Sequence, residues 1–167
     1  MIITLSKSEE SVCKQASNAR YNFARSAGLT NQNVVDRSDL DLLGIRGEMA
    51  VAKLFDLDWT AHTIGHDDGM DMWFEDCSID VKTGFENARM LLFRTQEKFK
   101  ADVAIFCRQS GFENESIEVV GWINREDFKF KSKKMDLGHG DTWGVEDKNL
   151  NKIEVLWKIL KQKQLKK

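Results

Sequence analysis

Residues 70–82, MDMWFEDCSIDVK, read as a β-hairpin folded at Glu75 and Asp76. A two-residue turn there sets Phe74 opposite Cys77, Met72 opposite Ile79 and Met70 opposite Val81, which makes one face wholly apolar. The other face pairs Trp73 with Ser78 and Asp71 with Asp80. Because side chains alternate along a strand, Lys82 joins Asp80 on that second face. A four-residue loop keeps this register and a three-residue loop breaks it. Glu-Asp also lacks the Asn-Gly or Asp-Gly chemistry that two-residue hairpins favour.

Directly opposed residues hold their Cβ atoms roughly 5 Å apart, and like charges there repel. At an effective dielectric of about 20 the cost is on the order of 3 kcal/mol. A divalent cation offsets it by taking oxygens from both carboxylates, as Mg²⁺ does when it is held by one or two carboxylates plus substrate phosphate. The Lys82 ammonium then reaches the same phosphate or an attacking water. Two strands alone are equally compatible with a plainer arrangement, in which both acids are solvated and Lys82 is their salt-bridge partner.

A third acid lies upstream, in the run DLDLLGIRGEMAVAKLF from Asp39 to Phe55. Gly44, Glu48, Val51, Ala52 and Phe55 recur at helical spacing, so Glu48 falls on the apolar stripe, where carboxylates rarely sit without a partner. Gly44, Gly47 and Ala50 would let this helix approach the sheet and deliver Glu48 toward the metal. Glu48 could equally cap a neighbouring segment or pair with Arg46 or a lysine.

A chain of 167 residues with 41% apolar content suits a single domain, 1–167, with a real core. Charged residues make up 31%, yet the net charge is only −2, so a polyanion site must be a local patch. Cys13, Cys77 and Cys107 are an odd set without metal-ligand spacing, and MIITLSKSEE has no signal-peptide pattern, so a reducing cytoplasm is expected. No apolar run approaches the roughly 20 residues that span a bilayer, so no membrane is expected as a partner. His62, His66 and His139 fit no compact zinc site, and zinc is not expected.

Ser6 and Glu9 form a capping-box pattern. Val12, Ala16, Ala19, Phe23 and Ala27 continue it as a helix of about five turns that Gly28 stops. Residues 29–38 read as a loop, with Ser38 or Asp39 capping the next helix, and GHDDG as an acidic turn before Asp71. Met90–Arg94, Val103–Cys107 and Ile117–Ile123 read as further strands of the same sheet. Asn124–Phe128 starts a short helix, 129–147 is expected to be a loop, and Leu150, Ile153, Leu156, Trp157 and Leu160 stripe a final helix.

Basic residues gather in three places: Lys82 with Arg89, Arg94, Lys98 and Lys100; Lys129–Lys134; and Lys158–Lys167. The last complements a helix terminus. The first borders the carboxylates and could hold a DNA backbone across them, which makes Arg89, Arg94 and Lys98 the candidate DNA contacts.

Glu48, then Asp71, then Asp80-Val81-Lys82, in the order helix, strand, strand, resembles the PD-(D/E)xK nuclease superfamily. GIRGEMAVAKLF, GMD and IDVKTG look like segments of its small, mostly phage-encoded members. The likeness covers roughly residues 40–125, and Met70 stands where the motif's proline would be. It implies an α/β, restriction-endonuclease-like fold, with a mixed central sheet of about five strands flanked by helices. It implies a metal-dependent deoxyribonuclease that uses Mg²⁺ or Mn²⁺ and leaves a 5′-phosphate and a 3′-hydroxyl. Asp71, Asp80, the Val81 carbonyl and Glu48 would serve the metal, and Lys82 the water. DNA is the implied partner, a homodimer the common assembly, and the bacterial host cytoplasm the location if the chain is phage-encoded. The competing expectation is a nuclease-fold binding protein without catalysis, an inhibitor or accessory factor in phage DNA metabolism.

Overall fold

The computed structural model describes residues 1–26, 37–59, 69–110, 116–138 and 140–165. Its centre is a mixed sheet in which β3 (Cys77–Gly84) and β5 (Val103–Gln109) run parallel. β2 (Met72–Phe74) forms one edge, beyond β3, while β6 (Ser116–Asn124) and β1 (Ile2–Thr4) extend the other side antiparallel, in the order β1-β6-β5-β3-β2. A second, antiparallel sheet has β8 (Asp141–Glu146) between β4 (Met90–Phe93) and β7 (Lys133–Asp136). The helices are α1 (Lys7–Ser26), α2 (Arg37–Phe55), α3 (Arg125–Lys131) and α4 (Ile153–Gln164). The chain is therefore a mixed α/β protein with a five-stranded mixed sheet and four helices among the described residues.

Two cores divide along the faces of the central sheet. Ile79, Val81, Val103, Ile105, Ile117 and Val119 pack with α2 and α4 on one side. Ala104, Phe106 and Ile123 pack with Leu91, Phe93, Val145 and Phe128 on the other. β3 is thus covered on both faces, as a strand with a parallel partner usually is.

The hairpin register expected from 70–82 is present where the strands pair: Met72 with Ile79, Trp73 with Ser78 and Phe74 with Cys77. Its Glu-Asp turn forms with Glu75 at φ 54°, a left-handed conformation that glycine adopts without penalty. The capping box also forms, with Ser6 N donating to Glu9 Oε2 at 2.6 Å and Glu9 N to Ser6 Oγ at 3.3 Å.

Several expectations are corrected. Met90–Phe93 is not in the central sheet but pairs with β8, because a parallel β3–β5 connection must cross over the sheet and β4 lies in that crossover. The fifth central strand is Ile2–Thr4, which carries no period-two signal of its own. Residues 129–147 are not a loop; they complete α3 and form the β7–β8 hairpin, whose turn places Gly138 and Gly140 at φ 86° and 91°. The first helix buries Glu10, Cys13 and Ser17, whereas Val12 and Phe23 of its apolar stripe are exposed. Ser38 and Asp39 lie within α2, which begins at Arg37. The stop at Gly28, most of the 29–38 loop, most of GHDDG and all three histidines fall outside the described residues.

Of the small residues expected to let α2 approach the sheet, Ala50 is buried in the core and Gly47 touches β3, where a built Cβ overlaps Thr83 Oγ1, while Gly44 has open space. Gly47→Ala should destabilise by about 1–3 kcal/mol. Adding Thr83→Ala should recover a large part of that loss in denaturant unfolding, whereas strictly additive losses would refute the contact. At the hairpin, Glu75→Gly should raise the unfolding free energy read from denaturant titration by up to about 1 kcal/mol, relief of the left-handed strain exceeding the added unfolded-state entropy.

Candidate functional site

β2 ends at Met72, so β3 continues past it along an open edge. Asp71 fills the gap: its N–H donates to Ile79 O at 2.8 Å, and its Oδ2 accepts from Val81 N at 2.6 Å. The carboxylate takes the place of the carbonyl that a longer β2 would have offered, and satisfies a backbone donor that would otherwise be left over. Asp71 and Asp80 are therefore not a ladder pair, contrary to the expected register.

Asp80 and Lys82 neighbour Ala104 and Phe106 across the sheet, which places them on the face covered by β4 and β8. This face is not wet. Asp80 is 1% exposed and Ser78 3%. Lys82 Nζ donates to Asp80 Oδ1 and lies 5.2 Å from the Phe93 ring centroid. A buried carboxylate is thus met by a cation whose stem and head are themselves lodged against an aromatic face.

Glu48 comes from the opposite face, next to the Gly47–Thr83 contact. It is buried at 4% exposure, as its place on the helical stripe implied. Its partner is Arg20 of α1, which donates from Nη1 and Nη2 to Oε1 and Oε2, both at 3.0 Å. Arg46, expected as a partner, instead binds Glu10 through Nε and Nη2 at 2.7 and 2.9 Å, since residues two apart on a helix project to different sides. Sequence reasoning missed Arg20. The signal was a second stripe on α1, Glu10, Cys13, Ser17 and Arg20, with helical spacing but too little hydrophobicity to stand out.

Asp71 sits at the sheet edge between the two faces and senses both. Burial first, then the charges of Glu48 and Asp80, push its carboxyl up to about 8, against the opposing pull of the Val81 N–H and Lys82. The structure thus gathers Glu48, Asp71, Asp80 and Lys82, with Arg20 added. Arg94 directly follows Phe93, and Lys98 ends a 3-10 turn, Gln96–Lys98, whose Gln96 donates to Lys129 O and Ser132 Oγ. The Lys98 carbonyl and the Lys100 side chain stand beside Gly69, two residues before Asp71. Arg89 lies between β3 and β4, where its carbonyl accepts from Asp147 N. All three candidate DNA contacts are exposed.

Among the described residues, no set of three or more His, Cys, Asp or Glu side chains is grouped to hold a metal ion by itself. The three cysteines are buried and form no disulfide, and no helix of the described residues is long and apolar enough to cross a membrane. In comparisons with models of known families, with characterised proteins and with solved structures, nothing matches the chain.

The raised Asp71 carboxyl has a thermodynamic consequence. An unfolded aspartate releases its proton near pH 4, while the folded one keeps it to about 8, so stability must fall as pH rises through that window. Asp71→Asn can still accept from Val81 N and has no proton to lose. In EDTA, the variant should gain melting temperature over the parent as pH rises from 4.5 to 8.5. Parallel pH profiles for the two proteins would show that Asp71 ionises normally.

Proposed function

We propose that this protein is a metal-dependent nuclease that hydrolyses DNA phosphodiester bonds, built on the PD-(D/E)xK, restriction-endonuclease-like plan. The observation that carries this is the gathering of Glu48, Asp71 and Asp80, where burial and then the charges of Glu48 and Asp80 push the Asp71 carboxyl up to about 8, with Lys82 on Asp80. Three gathered carboxyl groups suit a hard divalent cation, whose binding would release the Asp71 proton. Asp71, Asp80 and the Val81 carbonyl are oxygen donors of the kind Mg²⁺ or Mn²⁺ takes, with water and substrate phosphate completing the set. When bound, the metal would lower the pKa of a water and neutralise charge on the scissile phosphate.

The chain's own residues would do the rest. Asp71 is aimed by the Val81 N–H, and Glu48 is held in one orientation by the forked Arg20 guanidinium. Lys82 would leave Asp80 to orient the attacking water or donate to the phosphate, adding electrostatic stabilisation of the transition state. Glu48 would support a metal-bound water or a second ion. Arg89, Arg94 and Lys98 would contact the DNA backbone, and a homodimer would let two sites face two strands.

One observation favours a second reading, a nuclease-fold binding protein. Glu48 and Asp80 are already met by the chain's own cations, Arg20 and Lys82, as a retired site would require.

Plasmid, linear and four-way-junction DNA incubated with Mg²⁺, Mn²⁺ or EDTA separates the two. The nuclease should cleave with either metal and not in EDTA. Asp80→Ala and Lys82→Ala should each lower the rate by about 100-fold or more while leaving DNA binding in place. Metal-dependent cleavage that survives both substitutions would remove these residues from the chemistry. Binding without cleavage under any metal would establish the second reading.

A further inference from the structure

Phe130, near the end of α3, is 90% exposed, more than any other large apolar side chain among the described residues. An isolated exposed aromatic needs no explanation, but this one has charged company. The segment REDFKFKSKK, residues 125–134, carries five basic residues against two acidic ones, in a chain of net charge −2. Lys129, Lys131, Lys133 and Lys134, its neighbours along the chain, are all exposed. Lys131 pairs with Asp127 at 3.4 Å and Lys134 with Asp141 at 2.6 Å, both at the surface, where such pairs release their cations at little cost.

The mounting is rigid. Phe128, two residues earlier, is fully buried, with its ring edge-on to Phe93 and Phe99 at centroid distances of 5.1 and 5.5 Å. Phe93 is the ring over which Lys82 sits. Gln96, in the turn that carries Lys98, donates to Lys129 O and Ser132 Oγ and ties that turn to the end of α3. A continuous chain of packed rings and hydrogen bonds therefore fixes Phe130 and its lysines relative to the candidate site.

We propose that Phe130 and the surrounding lysines form a docking surface for single-stranded nucleic acid, with a base stacked on the Phe130 ring and phosphates on Lys129 and Lys133. Charge complementarity selects a polyanion, and an open π-face favours an unstacked base over a closed duplex. The proposal rests on the nucleic-acid reading of the site. It names the form of substrate presented there, a single-stranded segment or frayed end.

The test measures binding of a fluorescent single-stranded oligonucleotide in EDTA, where no cleavage occurs. Phe130→Ala should weaken binding by about tenfold, Phe130→Trp should retain it, and Lys129→Ala with Lys133→Ala should flatten its salt dependence. Unchanged affinity in Phe130→Ala, or no binding by the parent, overturns the proposal. So does Phe130-dependent binding confined to vesicles containing phosphatidylserine. If the parent cleaves DNA while Phe130→Ala binds and cleaves as the parent does, this inference falls and the nuclease reading stands. If no metal supports cleavage but binding depends on Phe130, the reverse holds.

Discussion

Strand β3 carries Asp80 into the middle of the protein with both faces covered, and the rest of the structure answers the cost of burying that carboxylate. An isolated carboxylate in such a place would take up a proton or unfold the sheet. Lys82 supplies the nearest countercharge, and Phe93 supports it. Asp71 adds a further acid at the open edge, where the Val81 N–H needs an acceptor. Glu48, from the other side, adds a third, and Arg20 reaches across from α1 to hold it. Glu48 and Asp80 are each placed where a cation waits, while burial and those two charges push the Asp71 carboxyl up to about 8.

The same constraint explains the architecture around the strand. A β3 buried on one face only would have needed α2 alone. The Asp80 face is covered by β4, β8 and α3, and Phe93 of β4, packed against Phe99 and Phe128, lies under the Lys82 ammonium. Helix α2 can approach the other face closely only because residue 47 is glycine. α1 then packs on α2 with two forked Arg–Glu pairs beside Cys13 and Ala16, while Val12 and Phe23 stay exposed. Replacing pairs of this kind with well-packed apolar residues is often neutral or stabilising, so what they add here is orientation of Glu48 and of α1.

Local patterns were readable wherever one stretch of chain decides its own geometry. Residues 72–79 specify their pairing by alternation alone, Ser6 and Glu9 specify a helix start, and the apolar neighbours of Glu48 on α2 mark it as buried. Asn124 likewise caps α3 by accepting from Asp127 N at 2.7 Å. What escaped were features whose partners are distant in sequence. β7 and β8 are polar, short and rich in glycine and lysine, and they become strands by pairing with each other and with β4. Ile2–Thr4 becomes a strand because the edge of β6 is open beside it.

By itself the sequence determined that Asp80 and Lys82 share a strand face and that Glu48 lies on a buried helical stripe, because each follows from the fixed periods of strand and helix. Only the tertiary structure decided that Asp71 turns into the sheet edge to meet Val81 instead of facing Asp80, and that Glu48 arrives from the opposite face and is held by Arg20. Those outcomes depend on where β2 stops pairing and on how α1 crosses α2. Both are set by packing between segments far apart in the chain, and no periodicity within one segment encodes them.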